Sequence, residues 1–351
     1  MNDIHDWFVG IYFFLDYIMK SNLASEILNS NSNTLYVNWA LLNMCNYSCT
    51  YCHDDLNSGS IGHPEEEIAL KFISKLLDKS KITNKKLYVE FGGGEVTLYR
   101  SFESVIKNIY NNKGFVTIVS NGSKKVSWWQ DNAKYLSGVS LSYHINDIKS
   151  DSHFTEVSKI LEASETTRFH VNVMMVPERF EDCLAFANKL KQEVRCSIAL
   201  QPLFEGFGHG GITQKYPYTP EQEQIMKDFR GRPELKELPP SMAELEVNYT
   251  DGTTENLSTF DLIANDQTNF IGWDCYAGID SLVVTFSGDI YRSWCMQDGP
   301  IGSIYDENIE LPTHPTKCRT KICQCGVDLS AKKVNAKLIS HRQQEIAVTQ
   351  L

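Results

Sequence analysis

Apolar and polar positions alternate in blocks from residue 35 to residue 200, and the blocks change period as they go. Leu35–Leu42 is apolar, partly β-branched and aromatic, and predicts a strand. Pro64–Lys79 places Ile68, Leu70, Phe72, Ile73, Leu76 and Leu77 at helical spacing. Strands are then predicted at Leu87–Phe91, Phe115–Val119, Val139–Tyr143, Phe169–Val176 and Ser197–Leu200. Helices are predicted between them at Phe102–Tyr110, Trp128–Tyr135, Phe154–Ala163 and Phe180–Leu190. Six strands alternating with helices predict an α/β fold with a parallel sheet. Right-handed crossovers would curl it into a partial (β/α)6 barrel of the TIM type. Functional residues are then expected at the C-terminal ends of the strands.

The alternation ends near Phe204. Gly206, Gly208, Gly210 and Gly211 are followed by Pro217, Pro220, Pro233, Pro239 and Pro240, which reads as a linker with one helix around Gln222–Phe229. A second unit starts near Gly272: Leu282–Phe286, Ser287-Gly288-Asp289 and Ile290–Trp294 read as a hairpin with a Gly turn. The expected divisions are a helical extension at 1–32, the barrel at 33–203, a linker or active-site cover at 204–271, a small hairpin domain at 272–328 and a helical tail at 329–351.

Composition narrows the function classes. The 351 residues carry a net charge of −11 and are 42% hydrophobic. An acidic chain without a basic cluster argues against a nucleic-acid partner. The most apolar stretch, Trp7–Met19, is too short for a membrane span and lacks the basic start of a signal peptide, so it reads as a packed helix. Ten cysteines without a secretory signal suggest a reducing cytoplasm.

The cysteines carry the chemistry. Cys45, Cys49 and Cys52 form a C-x3-C-x2-C run directly after the first predicted strand. Three thiolates at this spacing suit one face of a four-iron cluster and leave the fourth iron open to a substrate. A zinc knuckle fits less well, because zinc sites favour paired C-x2-C units and a closed set of four. The other motifs follow the predicted strands: Gly92-Gly93-Gly94-Glu95 after the second, Ser120-Asn121-Gly122 after the third, and Ser142, Tyr143 and His144 closing the fourth. Taken alone, the Gly run is an ordinary strand-to-helix turn, and Glu95 could serve as a helix-start charge. Asn121-Gly122 likewise suits a plain turn.

With an aromatic, Tyr51, before its last Cys, the three-cysteine run resembles the signature of the radical S-adenosylmethionine (SAM) superfamily. The resemblance implies a [4Fe–4S] cluster on Cys45, Cys49 and Cys52, with S-adenosyl-L-methionine on its open iron. Gly92, Gly93, Gly94 and Glu95 resemble the family's GGE turn, which holds the methionine moiety of SAM. Ser120 and Asn121 stand where the family often has T-N-G and contacts ribose and carboxylate. Ser142 resembles its fourth-strand serine, and Tyr51 the aromatic beside the adenine. His53 reads as a local hydrogen-bonder. Gln201 suits the adenine, the substrate or a core amide equally.

Cys275, Cys295, Cys318, Cys323 and Cys325 resemble the auxiliary-cluster domains called twitch or SPASM. Five cysteines are too few for two full clusters, so the resemblance implies one further [4Fe–4S], with structural zinc as the other reading. Cys183 and Cys196 read as buried apolar residues. The implied activity is reductive cleavage of SAM to a 5′-deoxyadenosyl radical, which takes a hydrogen atom from a small molecule, aided by the auxiliary cluster. The alternative is modification of a ribosomally made peptide, disfavoured by the short stretch before Cys45. An electron donor such as flavodoxin or ferredoxin is implied; nucleic acid and membrane partners are not. Glu205, His209, Tyr216 and Tyr218 are candidates for substrate contacts.

Overall fold

The computed structural model describes residues 23–204, 214–232, 237, 239–323 and 325–339. The expected helix at Trp7–Met19, the candidates Glu205 and His209, and the tail beyond residue 339 lie outside these residues.

Six strands form the parallel core: β2 (Thr34–Leu42), β3 (Lys86–Gly93), β4 (Phe115–Ser120), β5 (Gly138–Tyr143), β6 (Arg168–Met175) and β7 (Ser197–Pro202). They lie side by side in chain order, each parallel to the next. Helices α1 (Glu66–Ile82), α2 (Phe102–Asn111), α3 (Val126–Asn132), α4 (Asp151–Ala163) and α5 (Phe180–Glu193) occupy the crossovers. The sequence pattern anticipates each of these elements to within a few residues.

Strand alternation explains which face the helices cover. Val37, Trp39, Val89, Phe91, Val116, Ile118, Leu141 and Val171 are all at most 1% exposed and share one core with Phe72, Phe102, Phe154 and Leu190 of the helices. The alternate positions are polar: Asn38, Glu90, Thr117, Ser140, Ser142, His170 and Asn172. A parallel sheet with helices on both faces needs nearly continuous apolar strands. Here one face is reserved for polar groups. Its far end is closed by Tyr36, Tyr88 and Met242, which pack together.

The hairpin does not stand apart. β11 (Ser281–Val284) pairs parallel to β2, from Ser281 opposite Tyr36 to Val284 opposite Trp39. With β12 (Asp289–Tyr291) and β13 (Gly302–Ser303) it extends the parallel sheet to nine strands.

A second sheet of six strands departs further from expectation. Its order is β14 (Thr316–Lys317), β10 (Asp274–Cys275), β15 (Lys333–Val334), β1 (Ala24–Asn29), β8 (Glu244–Tyr249) and β9 (Thr254–Ser258), all antiparallel. Residues read as helical extension, linker and helical tail thus supply strands. The stretch read as linker holds the one helix expected there, α6 (Pro220–Asp228), and a second, α7 (Thr259–Ala264). β1 pairs with β8 and β15 across more than 200 residues, which no local pattern signals.

Leu282 is fully buried in the core shared with the parallel sheet. Leu282→Ala is expected to cost about 2–5 kcal/mol. Because β11 is hydrogen-bonded into that sheet, the loss should shift one cooperative denaturant transition rather than create a separate early one.

Candidate functional site

The ends of β2, β3, β4 and β5 converge on the three-cysteine loop. Gly94 N–H donates to Leu42 O at 2.8 Å and Glu95 N–H to Met44 O at 2.9 Å, so the glycine turn lies against the chain entering the loop. A Cβ on Gly93 would fall 2.5 Å from Leu42 O, and one on Gly94 only 2.2 Å from Met44 O. Gly93 also has a φ of +118°. These two glycines are required by close backbone approach. Gly92 differs: a Cβ there would meet nothing within 4 Å, so open space lies over it.

Glu95 is 1% exposed and joins three loops. Its Oε1 accepts from Thr97 N (3.1 Å), Thr97 Oγ1 (2.6 Å) and Ser120 Oγ (2.9 Å), and its Oε2 from Asn121 N (2.7 Å). Burial raises the carboxyl's pKa, and the donated hydrogen bonds pull it back. Glu95 and Ser120 therefore support the site from beneath. Asn121 faces the cysteine loop: its Nδ2 lies 3.7 Å from Cys45 Sγ and donates to Asn46 Oδ1 at 3.0 Å.

The loop is pinned from β5 as well. Ser48 N–H donates to Asp147 Oδ1 at 2.9 Å. His144 Nδ1 stands 3.3 Å from Cys49 Sγ and 2.7 Å from the Tyr51 hydroxyl, with the two rings stacked. Burial lowers the His144 pKa to about 4, so the ring is neutral. Tyr51 is 5% exposed, its hydroxyl engaged with His144. Ser142 is half-buried on β5, level with Asn172. His53 caps the short turn that follows, its ring accepting from Asp55 N–H, as its local reading requires. Tyr218 is pinned between Met175 O and Leu203 N–H.

The donor set fits an iron–sulfur cluster. Cys45 and Cys52 are half-buried and Cys49 is buried. Tyr47 N–H and the Asn121 amide point at Cys45 Sγ, as donors do toward a thiolate. Without metal, burial pushes all three thiols up, Cys52 to about 11. Metal ligation removes that penalty by taking the proton's place. Among the described residues, no three His, Cys, Asp or Glu are grouped around a single ion. A cluster spreads its thiolates over separate irons, so the donor set is the relevant test.

The C-terminal cysteines also gather. Cys318 and Cys323 are buried in one apolar cluster, with Cys275 packed against it. Cys275 lies within electrostatic reach of Cys318 and Cys295, and Cys323 within reach of Cys275 and Cys325. Asp328 accepts from the N–H groups of Trp294 (2.8 Å) and Cys295 (3.0 Å) and fixes the end of the hairpin. Trp294 Nε1 donates to Asn38 Oδ1 at 2.9 Å, and Asn38 Nδ2 donates to Glu90 Oε1 at 2.7 Å. The second cysteine group is thus linked to the polar face of the parallel sheet. Cys183 and Cys196 are fully buried in the core.

Several of these residues carry no motif. Glu90 is a carboxyl within the run Leu87–Phe91, and that anomaly is its only sequence signal. His144 stands two residues beyond Ser142, but nothing local predicts its contact with Cys49.

No family model matches the chain. Over 93 residues it is 29% identical to an S-adenosylmethionine-dependent nucleotide dehydratase of Selenomonas ruminantium, covering 25% of this chain and 30% of that protein. Over 179 residues it is 26% identical to a GTP 3′,8-cyclase of Vibrio atlanticus (strain LGP32), covering 45% and 51%. Among solved structures, Streptococcus suis SuiB bound to precursor peptide SuiA aligns with a TM-score of 0.47 at 16% identity, over 78% of this chain and 63% of that one. The chain spans about a third to a half of the curated relatives it matches. These relatives are radical SAM enzymes, and the chain is similar to them over the stretches matched.

Two substitutions separate the roles of the glycines. Gly94→Ala should lower stability by about 1–3 kcal/mol through overpacking against Met44. Gly92→Ala should leave thermal stability unchanged or slightly raised, since its Cβ enters open space. Thermal denaturation of the two variants checks this.

Proposed function

We propose that this chain cleaves S-adenosylmethionine reductively and abstracts a hydrogen atom from a small polar molecule held over the polar face of its parallel sheet. The observation that carries the reading is the convergence of Cys45, Cys49 and Cys52 with the open space over Gly92. A reduced [4Fe–4S] cluster carrying S-adenosylmethionine supplies a 5′-deoxyadenosyl radical able to take hydrogen from carbon.

The chain's own residues bind, orient and exclude water. Cys45, Cys49 and Cys52 would hold the cluster. Gly92, with Gly93 and Gly94 behind it, would offer main-chain groups to the methionine moiety. Asn121, Ser142 and the Tyr51 segment would line the nucleoside, while Glu95 and Ser120 keep the turns in register. The polar face supports a partial barrel with its helices outside. Asn38, Glu90, His170 and Asn172 would meet the substrate there; His170 Nε2 and Asn172 Oδ1 are 2.9 Å apart, and Asn172 Nδ2 donates to Ser140 Oγ at 3.0 Å. The printed names of both curated relatives specify nucleotide substrates, which favours a small molecule over a peptide.

Cys275, Cys295 and Cys323, with Cys318 or Cys325, would ligate one auxiliary [4Fe–4S] cluster. Cys318 is favoured, because it shares an apolar cluster with Cys323 and Cys275; Cys325 is within electrostatic reach of Cys323 but also of Tyr36 and Glu90. A small electron-transfer protein such as flavodoxin or ferredoxin would reduce the enzyme. Among the described residues no helix is long and apolar enough to cross a membrane.

Anaerobically reconstituted protein with dithionite and SAM should form 5′-deoxyadenosine, and Cys49→Ala should abolish it. Undiminished 5′-deoxyadenosine from Cys49→Ala would overturn the assignment of the site.

A further inference from the structure

Lys333 is the most deeply buried cation among the described residues, at 1% exposure. It sits on β15 directly across from Cys275 on β10. Its Nζ donates to the carbonyls of Asp328, Leu329 and Ala331 at 2.5, 3.4 and 3.0 Å, and lies 5.1 Å from the centre of the Phe270 ring. Carbonyls and a ring solvate an ammonium, but they do not neutralise it. Taking a charge out of water without an opposite charge costs several kcal/mol. Asp328 is the nearby carboxyl, and both its oxygens accept from Trp294 and Cys295 N–H groups. Among the described residues no carboxylate forms an ion pair with Lys333. Its ammonium acts electrostatically on the Asp328 carboxyl, and it lies over Phe270, which shares one buried cluster with Cys323 and has Cys275 packed against it.

We propose that Lys333 is the built-in counter-charge of an anionic, thiolate-ligated iron–sulfur centre on Cys275, Cys323 and their neighbours. This rests on the auxiliary-cluster reading. A cluster with four thiolates is an anion, and reduction adds one further negative charge. A fixed cation beside it favours loading and stabilises the reduced form, so the midpoint potential rises. Lys333 acts through the cluster and its ligands and is a positioning residue.

The test uses the full-length chain with Cys45, Cys49 and Cys52 changed to Ala, so that one iron–sulfur signal remains. Iron and sulfide per chain, the midpoint potential from an EPR-monitored titration, and the rate of iron loss to a chelator are read for the native residue and for Lys333→Gln, Lys333→Met and Lys333→Arg. The expected result is a more negative potential and faster iron loss in the Gln and Met variants, with Arg restoring both toward native. A role limited to satisfying carbonyls would lower thermal stability without moving the potential. Unchanged potential and iron retention in well-folded Gln or Met variants overturn the proposal and leave the auxiliary cluster standing. Failure of both uncharged variants to fold before iron is added, with Arg folding normally, also overturns it, because the charge would then be needed without the cluster. Absence of iron and sulfide from the native-Lys333 protein removes the cluster reading and the proposal together.

Discussion

One buried carboxylate holds the candidate site together. Glu95 receives hydrogen bonds from the loops after β3 and β4 while its own N–H ties the turn to Met44, one residue before Cys45. Three strand ends are thereby fixed relative to one another by a single side chain. A buried carboxylate is stable only when its lone pairs are met, so the loops must keep this arrangement for Glu95 to be tolerated. The position of Cys45, the glycine turn against it and the direction of Asn121 all follow from that constraint.

The second organising feature is the asymmetry of the parallel sheet. One face is apolar and packed on helices; the other carries Asn38, Glu90, Ser140, His170 and Asn172. Polar groups on a buried sheet need partners, and they find them in each other and in Trp294. Trp294 adjoins Cys295, and Asp328 fixes both through their N–H groups. The hairpin therefore couples the C-terminal cysteines to the polar face, and its pairing with β2 makes it part of the main sheet.

How much could be read from the chain alone follows from the range of the interactions. The parallel strands and their helices were legible, because period and breaker residues are local. The three-cysteine loop and the turns after β3 and β4 were legible as motifs for the same reason. The antiparallel sheet was not: β1 pairs with β8 and β15 across more than 200 residues, so Ala24–Asn29 looked helical, and the local hairpin of β8 and β9 went unread within the stretch taken as linker. Roles within motifs were also hidden. Gly93 and Gly94 look like Gly92, and only the approach of Leu42 and Met44 separates them. Glu95 and Ser120 looked like ligand contacts, and nothing local showed that they also hydrogen-bond each other and brace the turns. Lys333 is one lysine in a short strand, and only its burial beside Cys275 distinguishes it.

The claim on which the account depends is that three cysteines hold a cluster with one iron left open to S-adenosylmethionine. Mössbauer spectra of the anaerobic protein reconstituted with iron-57, recorded before and after adding S-adenosylmethionine, address it directly. The account predicts that one iron of one cluster changes its isomer shift and quadrupole splitting on addition. Spectra that stay the same with saturating S-adenosylmethionine, in protein that carries stoichiometric iron and sulfide, would contradict it.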